Sequence, residues 1–434
     1  MMIQRLSHFL DIRTGEAYRV GVIASLLFFL IAANNLIKII RDTVFLSHHP
    51  VSELPYLYIV VAIVAGVLIA LYGRYISNLP VTGLILVTNA IVILNIIFFW
   101  FLLTFLDPGW SHYAFYIWSA IAGVIAVAQA WTLTNEIFSA SEGKRLFGLV
   151  AAGGTLGGAA AGFGTQWAVG HFVEINDLLW VLAGIFFIAS VLVFRIDRRL
   201  RRIYYKRQLE LPKTAEPVSA GNIGALLTNS RFLKTIAALI LISVIVSTLI
   251  DFELKTTAKQ AYPSEEALAR FFSSYYAWLS VAAFFAQVVL TGKALTTFGL
   301  ISSLYLTPGA LLVGVLAIMT WPSVLAAAMT RMTDAVLRNS VQRSSMEVLY
   351  MSLPTGVKKG IKTFLDVVVE RAGDATAGFI ILFTLSYTGT YNTYVHFVCI
   401  ALILVWMLVI ALLRTRQQNE LPVDEYSRTP VITE

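Results

Sequence analysis

Long apolar runs separated by short polar ones make up most of this chain. About 20 apolar residues suffice to cross a bilayer as a helix, and the spacing of the runs predicts about twelve such helices. The first covers about Ala17 to Ile40 and the second about Leu54 to Leu71. The third covers about Thr82 to Phe105, and Asp107, Pro108 and Gly109 mark the turn that follows. The fourth, fifth and sixth cover about His112 to Ile137, Leu146 to Val169 and Asp177 to Phe194. The stretch RIDRRLRRIYYKRQLELPKTAEPVSAGN then predicts a basic linker over residues 195–231. Six more helices begin near Phe232, Ala267, Ser302, Pro322, Gly360 and Tyr391. The expected division is a six-helix half over 1–194, the linker, a second half over 232–414, and a mobile polar tail over 415–434. The stretch MMIQRLSHFLDIRTGEAYRV has no long apolar core and no small-residue cleavage site, so it predicts a short interfacial helix and not a signal peptide.

Composition agrees: 58% of the 434 residues are hydrophobic and 13% charged, against roughly 25% charged in soluble domains. The net charge of +7 is less informative than its placement. Arg5, Arg13, Arg74, Lys144, Arg145, the Arg195–Arg207 cluster, Lys293, Lys358, Lys359, Lys362, Arg414 and Arg416 fall on one side of a twelve-helix topology. The positive-inside rule puts that side, and both termini, in the cytoplasm; the expected location is a bacterial inner membrane. The Arg195–Arg207 cluster is read as a topology anchor that can also meet anionic lipid headgroups. No basic face with interleaved aromatics lies outside the spans, so nucleic acid is not an expected partner.

The two halves share landmarks. Gly73-Arg74 ends the second helix as Gly292-Lys293 ends the eighth, and Ser52-Glu53 precedes the second as Ser264-Glu265 precedes the eighth. Glu136 and Glu347 sit near the ends of the fourth and tenth helices, each before a basic loop. Two parallel six-helix repeats joined by a cytoplasmic linker are the major facilitator arrangement, in which substrate binds between the halves. The expected fold is therefore an all-α membrane protein with two pseudo-symmetric halves.

Charged groups at bilayer depth are costly and mark functional paths. Asn34, Asn35, Lys38, Arg41 and Asp42 share one face of the first helix; two cations, two amides and a carboxylate suit an anionic, hydrogen-bonding ligand. Lys255, beside Asp251 and Glu253 on the seventh helix, is expected opposite that face. Arg331, Asp334 and Arg338 share a face of the tenth helix, and Arg343 and Glu347 pair at i, i+4. Asp366, Glu370 and Asp374 form an acidic row on the eleventh, which needs arginine partners such as Arg371 or a bound proton. The glycine run GLVAAGGTLGGAAAGFG predicts close helix packing. Cys399 is the only cysteine, so no disulfide framework can form. Adjacent His48 and His49 should not share a helix face, so no metal site is expected there. No phosphate-cradling GxxxxGK[ST], HExxH or placed Ser/His/Asp set is present; neither an enzyme nor a cofactor is expected.

Several stretches resemble the ATP/ADP translocase family of nucleotide-exchange transporters. They are IKIIRDTVFLS, NEIFSASEGKRLFGL, Lys255 with the later AYPS, and SSMEVLYMSLP followed by VKKGIKTFLDVVVERAGD. The resemblance covers most of the chain. It implies a major-facilitator-like, alternating-access antiporter with contacts at Lys38, Arg41, Glu136, Lys144, Lys255, Glu347 and Arg371. Met346 and Asp374 stand where the family commonly has lysines. The full expectation is that Asn35, Lys38, Arg41, Lys255, Arg338 and Arg371 bind a nucleotide or other phosphorylated anion. Asp42, Glu136, Lys144, Arg145, Glu347, Asp366 and Glu370 would gate or couple. A proton-coupled porter of a non-nucleotide solute, or a non-transporting scaffold or sensor, are the rival expectations.

Overall fold

The computed structural model describes residues 16–75, 80–210, 230–287, 299–351, 360–362, 364–388 and 392–419, without the side chains of 69–75, 140–141, 144, 197–210, 388, 392–393 and 414–419. The expected interfacial N-terminal helix, the turn at Gly292-Lys293, the Lys358-Lys359 loop, linker residues 211–229 and the tail beyond 419 lie outside this description. So do the side chains of Arg74, Lys144, Arg414 and Arg416.

Helices α1 (Ala17–His48), α2 (Leu54–Tyr75), α3 (Val81–Phe101), α4 (Trp110–Ile137), α5 (Ala140–Ala168) and α6 (Leu178–Glu210) come first. They are followed by α7 (Arg231–Ala261), α8 (Glu265–Phe285) and α9 (Leu306–Thr320). Helix α10 runs over Val324–Leu337, widens into a π turn at Arg338–Gln342 and resumes over Arg343–Met351. A π turn at Leu365–Val369 leads into α11 (Glu370–Thr388), and α12 is Asn392–Asn419. Nine of the described helical segments are long and apolar enough to cross a membrane. The other three of the twelve, α8, α10 and α11, carry too many polar groups to meet that measure. Leu94, Val87 and Ile91 on α3 are largely exposed, as side chains facing lipid are.

Two boundaries differ from expectation for physical reasons. Helix α1 runs eight residues past Ile40 because Arg41 and Asp42 neutralise one another inside the bundle; the polar pair that looks like a helix end is an interior one. Helix α6 continues through the basic stretch to Glu210, since that stretch holds no proline or glycine to stop it.

The chain divides into two compact units. The first comprises Met1–Pro212 with Lys255–Val288. The second comprises Lys213–Leu254 with Val289–Glu434. In the first, α5 packs against α1 and α8 through its glycines. A Cβ on Gly153 would stand 2.7 Å from the Ala24 carbonyl, one on Gly157 would collide with the Phe28 carbonyl, and one on Gly162 would stand 2.7 Å from the Ser273 carbonyl. No side chain fits there, which is the close approach the glycine run predicts. This contact groups α8 with α1–α6, whereas the sequence expectation placed residues 232–414 together. Ser139 caps α5 in a reciprocal box with Glu142. Trp100 at the end of α3 and Trp180 at the start of α6 meet at 5.0 Å, and exposed Trp110 and Trp167 stand at the start of α4 and the end of α5. This is the aromatic girdle expected where a helix leaves the bilayer core. In the second unit α9 packs on α10 and α12, and Gly373 of α11 lies against Val244 of α7.

Candidate functional site

Asp42 is the centre of the polar core in the first unit, and it is fully buried. Arg41 donates from Nε to its Oδ1 at 2.9 Å, with a second guanidinium nitrogen also at 2.9 Å. The Lys255 ammonium, itself 2% exposed, lies 3.3 Å from the same oxygen. Tyr276 donates its hydroxyl to Oδ2 at 2.9 Å. Tyrosine rings line the cations: Arg41 stacks over Tyr116 at 4.7 Å, Lys255 sits 5.5 Å from the Tyr58 ring and donates to the Tyr116 hydroxyl at 3.2 Å, and Lys38 lies 5.8 Å from the Tyr276 ring. Asn35 donates to Ser280 at 2.9 Å. A Cβ on Gly158 would stand 2.7 Å from the Asn35 amide, so the glycine makes room for that bond. Asn35, Lys38, Arg41, Asp42 and Lys255 thus form one cluster around Tyr276. Two cations on one carboxylate in an apolar bundle make a site where an arriving anion can take over the role of Asp42.

The second unit ties its arginines down. Arg331 bridges Asp251 at 3.0 Å and Asp334 at 2.5 Å, and Ser247 donates to the same Asp334 oxygen at 2.6 Å. Arg338 lies 3.8 Å from Asp334. Arg371 holds Asp374 at 2.9 Å and Glu370 at 3.9 Å, while Thr248 donates to Asp374 at 2.9 Å and Tyr350 to Asp366 at 3.1 Å. Arg338 and Arg371, expected to bind substrate, each have a carboxylate within reach. A π turn at Leu365–Val369 holds Asp366 and leads into Glu370 along this helix.

Of the expected gating residues, Glu347 is paired with Lys362 from the lead-in to α11 and not with Arg343 four residues before it. Arg145 pairs with Glu16 at 2.9 Å, and Glu142 with Arg19 at 2.9 Å, so the starts of α1 and α5 are cross-clamped. Burial pushes the Glu142 carboxyl up, but hydrogen bonds from the Ser139 amide and hydroxyl and the Arg19 guanidinium outweigh it and bring it down to about 2. Glu136 is half-buried near the end of α4.

Sequence reasoning missed Tyr58, Tyr116, Tyr276 and Ser280, because a tyrosine in an apolar run gives no contrast. The pair Tyr275-Tyr276 amid serines is the one hint. It also took His48 and His49 to lie on one helix. Helix α1 ends between them, and His49 is extended (φ −125°, ψ 152°), so helical periodicity does not separate the two rings. Both reach His112 on α4.

The TLC ATP/ADP transporter family model matches residues 88–417. ADP,ATP carrier protein 1 of Chlamydia muridarum is 22% identical over 337 residues, covering 69% of this chain. The chain spans 64% of the length of that carrier. ADP,ATP carrier protein 5 of Rickettsia prowazekii is 22% identical over 443 residues, covering 86% of this chain and 88% of the carrier. Among solved structures, the nucleoside transporter NupG matches with a TM-score of 0.65 at 11% identity, over 94% of this chain and all of that one. A POT family transporter in complex with 5-aminolevulinic acid matches at 0.63 and 12% identity, over 91% and 96%. These likenesses show the major facilitator fold, in an integral multi-pass membrane protein. With the family match covering most of its length, the chain belongs to the TLC ATP/ADP transporter family.

Proposed function

We propose that the protein is a secondary transporter that exchanges a nucleotide, or another phosphorylated anion, across a bacterial inner membrane by alternating access, with both termini in the cytoplasm. The observation that carries this reading is the convergence of Arg41 and buried Lys255 on buried Asp42, with Lys38 and three tyrosine rings beside them. Phosphate oxygens compete with Asp42 for the two cations, and a tyrosine face accepts a base by stacking. Asp42 keeps the cations in place between substrates, lowering the cost of a site without cargo. The second unit supplies the Glu347–Lys362 gate and a fixed ion-pair frame. Met346 is buried at 7% exposure and Asp374 is neutralised by Arg371, so the grip on phosphate falls chiefly to the first unit. The Arg195–Arg207 stretch, whose side chains from 197 on lie outside the description, would serve as a topology anchor that can also meet anionic headgroups.

Purified protein in vesicles preloaded with ADP should take up labelled ATP, and empty vesicles should not. Equal uptake by empty vesicles, accompanied by alkalinisation outside, would favour the proton-coupled reading, which the Tyr350–Asp366 bond and the Glu370–Arg371–Asp374 cluster on α11 support. No flux of any nucleotide, sugar phosphate or organic anion would count against both.

A further inference from the structure

The end of α1 and the turn between α3 and α4 bring together a second constellation, away from Asp42. His48, Asp107 and His112 each offer one ligand atom, and these atoms all lie within 4.8 Å of one another. Asp107 follows a π turn (Leu102–Leu106) and holds a left-handed backbone (φ 38°, ψ 48°), the only non-glycine to do so among the described residues. That conformation costs energy for any residue with a Cβ and persists where surroundings demand it. It brings the carboxylate to 3.0 Å from His112 Nε2.

The rings are oriented from behind. His48 Nδ1 lies 2.9 Å from both the Val44 carbonyl and the Ser47 hydroxyl; in the tautomer that donates to the carbonyl, Nε2 is free to take a ligand. His112 Nδ1 meets His49 Nε2 at 3.2 Å. His49 Nδ1 in turn meets the Tyr113 hydroxyl at 3.0 Å and Glu53 at 3.2 Å, and Tyr113 also bonds Glu53. These contacts hold the His112 ring with its Nε2 toward the Asp107 carboxylate.

We infer that His48, Asp107 and His112 form a binding site for a divalent late transition metal, best matched by Zn2+. Two imidazoles and a carboxylate are the donor set this ion takes, with a fourth position left to water. Backbone and histidine partners behind each ring are the support that metal-binding histidines need. Zinc bonds of about 2.0–2.1 Å place ligand atoms roughly 3.3 Å apart, so the set must close by no more than about 1.5 Å, and the His48 ring, stacked on His112 at 4.3 Å and 18°, must turn out of that stack to aim at the same ion. His48 at a helix end and Asp107 on a turn are both exposed and can make that adjustment. The bound ion would pin the end of α1 to the α3–α4 turn. His48 lies seven residues, about two helical turns, beyond Arg41 on the same helix, so the anion site would feel it.

The test is Zn2+ alone on the full chain in detergent, followed by metal content after equilibrium dialysis and by thermal unfolding. One Zn2+ per chain is expected, with a raised Tm. His48→Gln and Asp107→Asn should each weaken binding at least tenfold and abolish the Tm shift; asparagine keeps the left-handed turn accessible. His171→Gln, an exposed histidine elsewhere, should change neither. His48 is exposed, so its variant folds even where one at buried His112 does not. Absence of saturable binding would overturn the inference, as would binding that survives both variants. A cluster that takes up a proton but no metal, with the same Tm against pH whether Zn2+ is present or not, would also overturn it.

Discussion

Replacing Asp42 by asparagine separates the two roles given to it, counter-ion and competitor. The change removes one negative charge that faces Arg41 at 2.9 Å and Lys255 at 3.3 Å, inside a residue with no solvent exposure. A unit pair at about 4 Å is worth on the order of 4 kcal/mol at an effective dielectric near 20, and stranding a buried partner typically costs about 3–5 kcal/mol. Two cations are stranded here, while tyrosine faces return part of the loss. The expected destabilisation of the substrate-free protein is thus about 3–5 kcal/mol, read by thermal or denaturant unfolding in detergent. Asp42→Asn combined with Lys255→Gln should recover at least half of it, because one stranded charge is gone. Added nucleotide should stabilise Asp42→Asn more than it stabilises the wild type, since phosphate fills the vacated role. If Asp42→Asn unfolds like the wild type without nucleotide, the cations do not depend on that carboxylate and the reasoning fails.

Three further outcomes follow from other parts of the molecule. The folded-state pKa of Glu142 lies below its ordinary value of 4.5, at about 2, so its contribution to stability is complete above that ordinary value and fades as pH falls toward 2; an unfolding series over this range should show an acid limb that Glu142→Gln flattens. Gly157→Ala should cost at least the 1–3 kcal/mol typical of overpacking, because its Cβ meets the rigid Phe28 carbonyl, while Gly164→Ala, with nothing within 4 Å, should be neutral or stabilising when the two are compared by thermal unfolding. Arg331→Gln should lower stability by about 3–5 kcal/mol, yet leave nucleotide affinity within about twofold in an equilibrium binding assay, because Asp251 and Asp334 occupy the guanidinium.

The helices and their order were legible because hydropathy reports burial in lipid directly. Lys38, Arg41 and Lys255 were legible for the complementary reason: a cation is conspicuous in an apolar run. What failed was whatever depends on a partner far along the chain. Arg41 and Asp42 look like a helix end until Lys255 and Tyr276 are seen to complete their neutralisation. Tyr116 and Tyr276 vanish into the apolar background. The π turns at Arg338–Gln342 and Leu365–Val369 leave no mark in residue type. The glycine run on α5 gave away the close packing but not which helices it would meet.

The central claim is that the cations of the first unit hold a phosphorylated anion, and Lys38 tests it most directly. Its ammonium lies over the Tyr276 ring, so Lys38→Gln leaves both Asp42 pairs in place. Equilibrium binding of labelled ATP and ADP to the purified wild type and to this variant should show at least a tenfold loss of affinity, with an unfolding temperature close to that of the wild type. Unchanged affinity in Lys38→Gln, repeated in Lys255→Gln, would place the anion elsewhere and contradict the account.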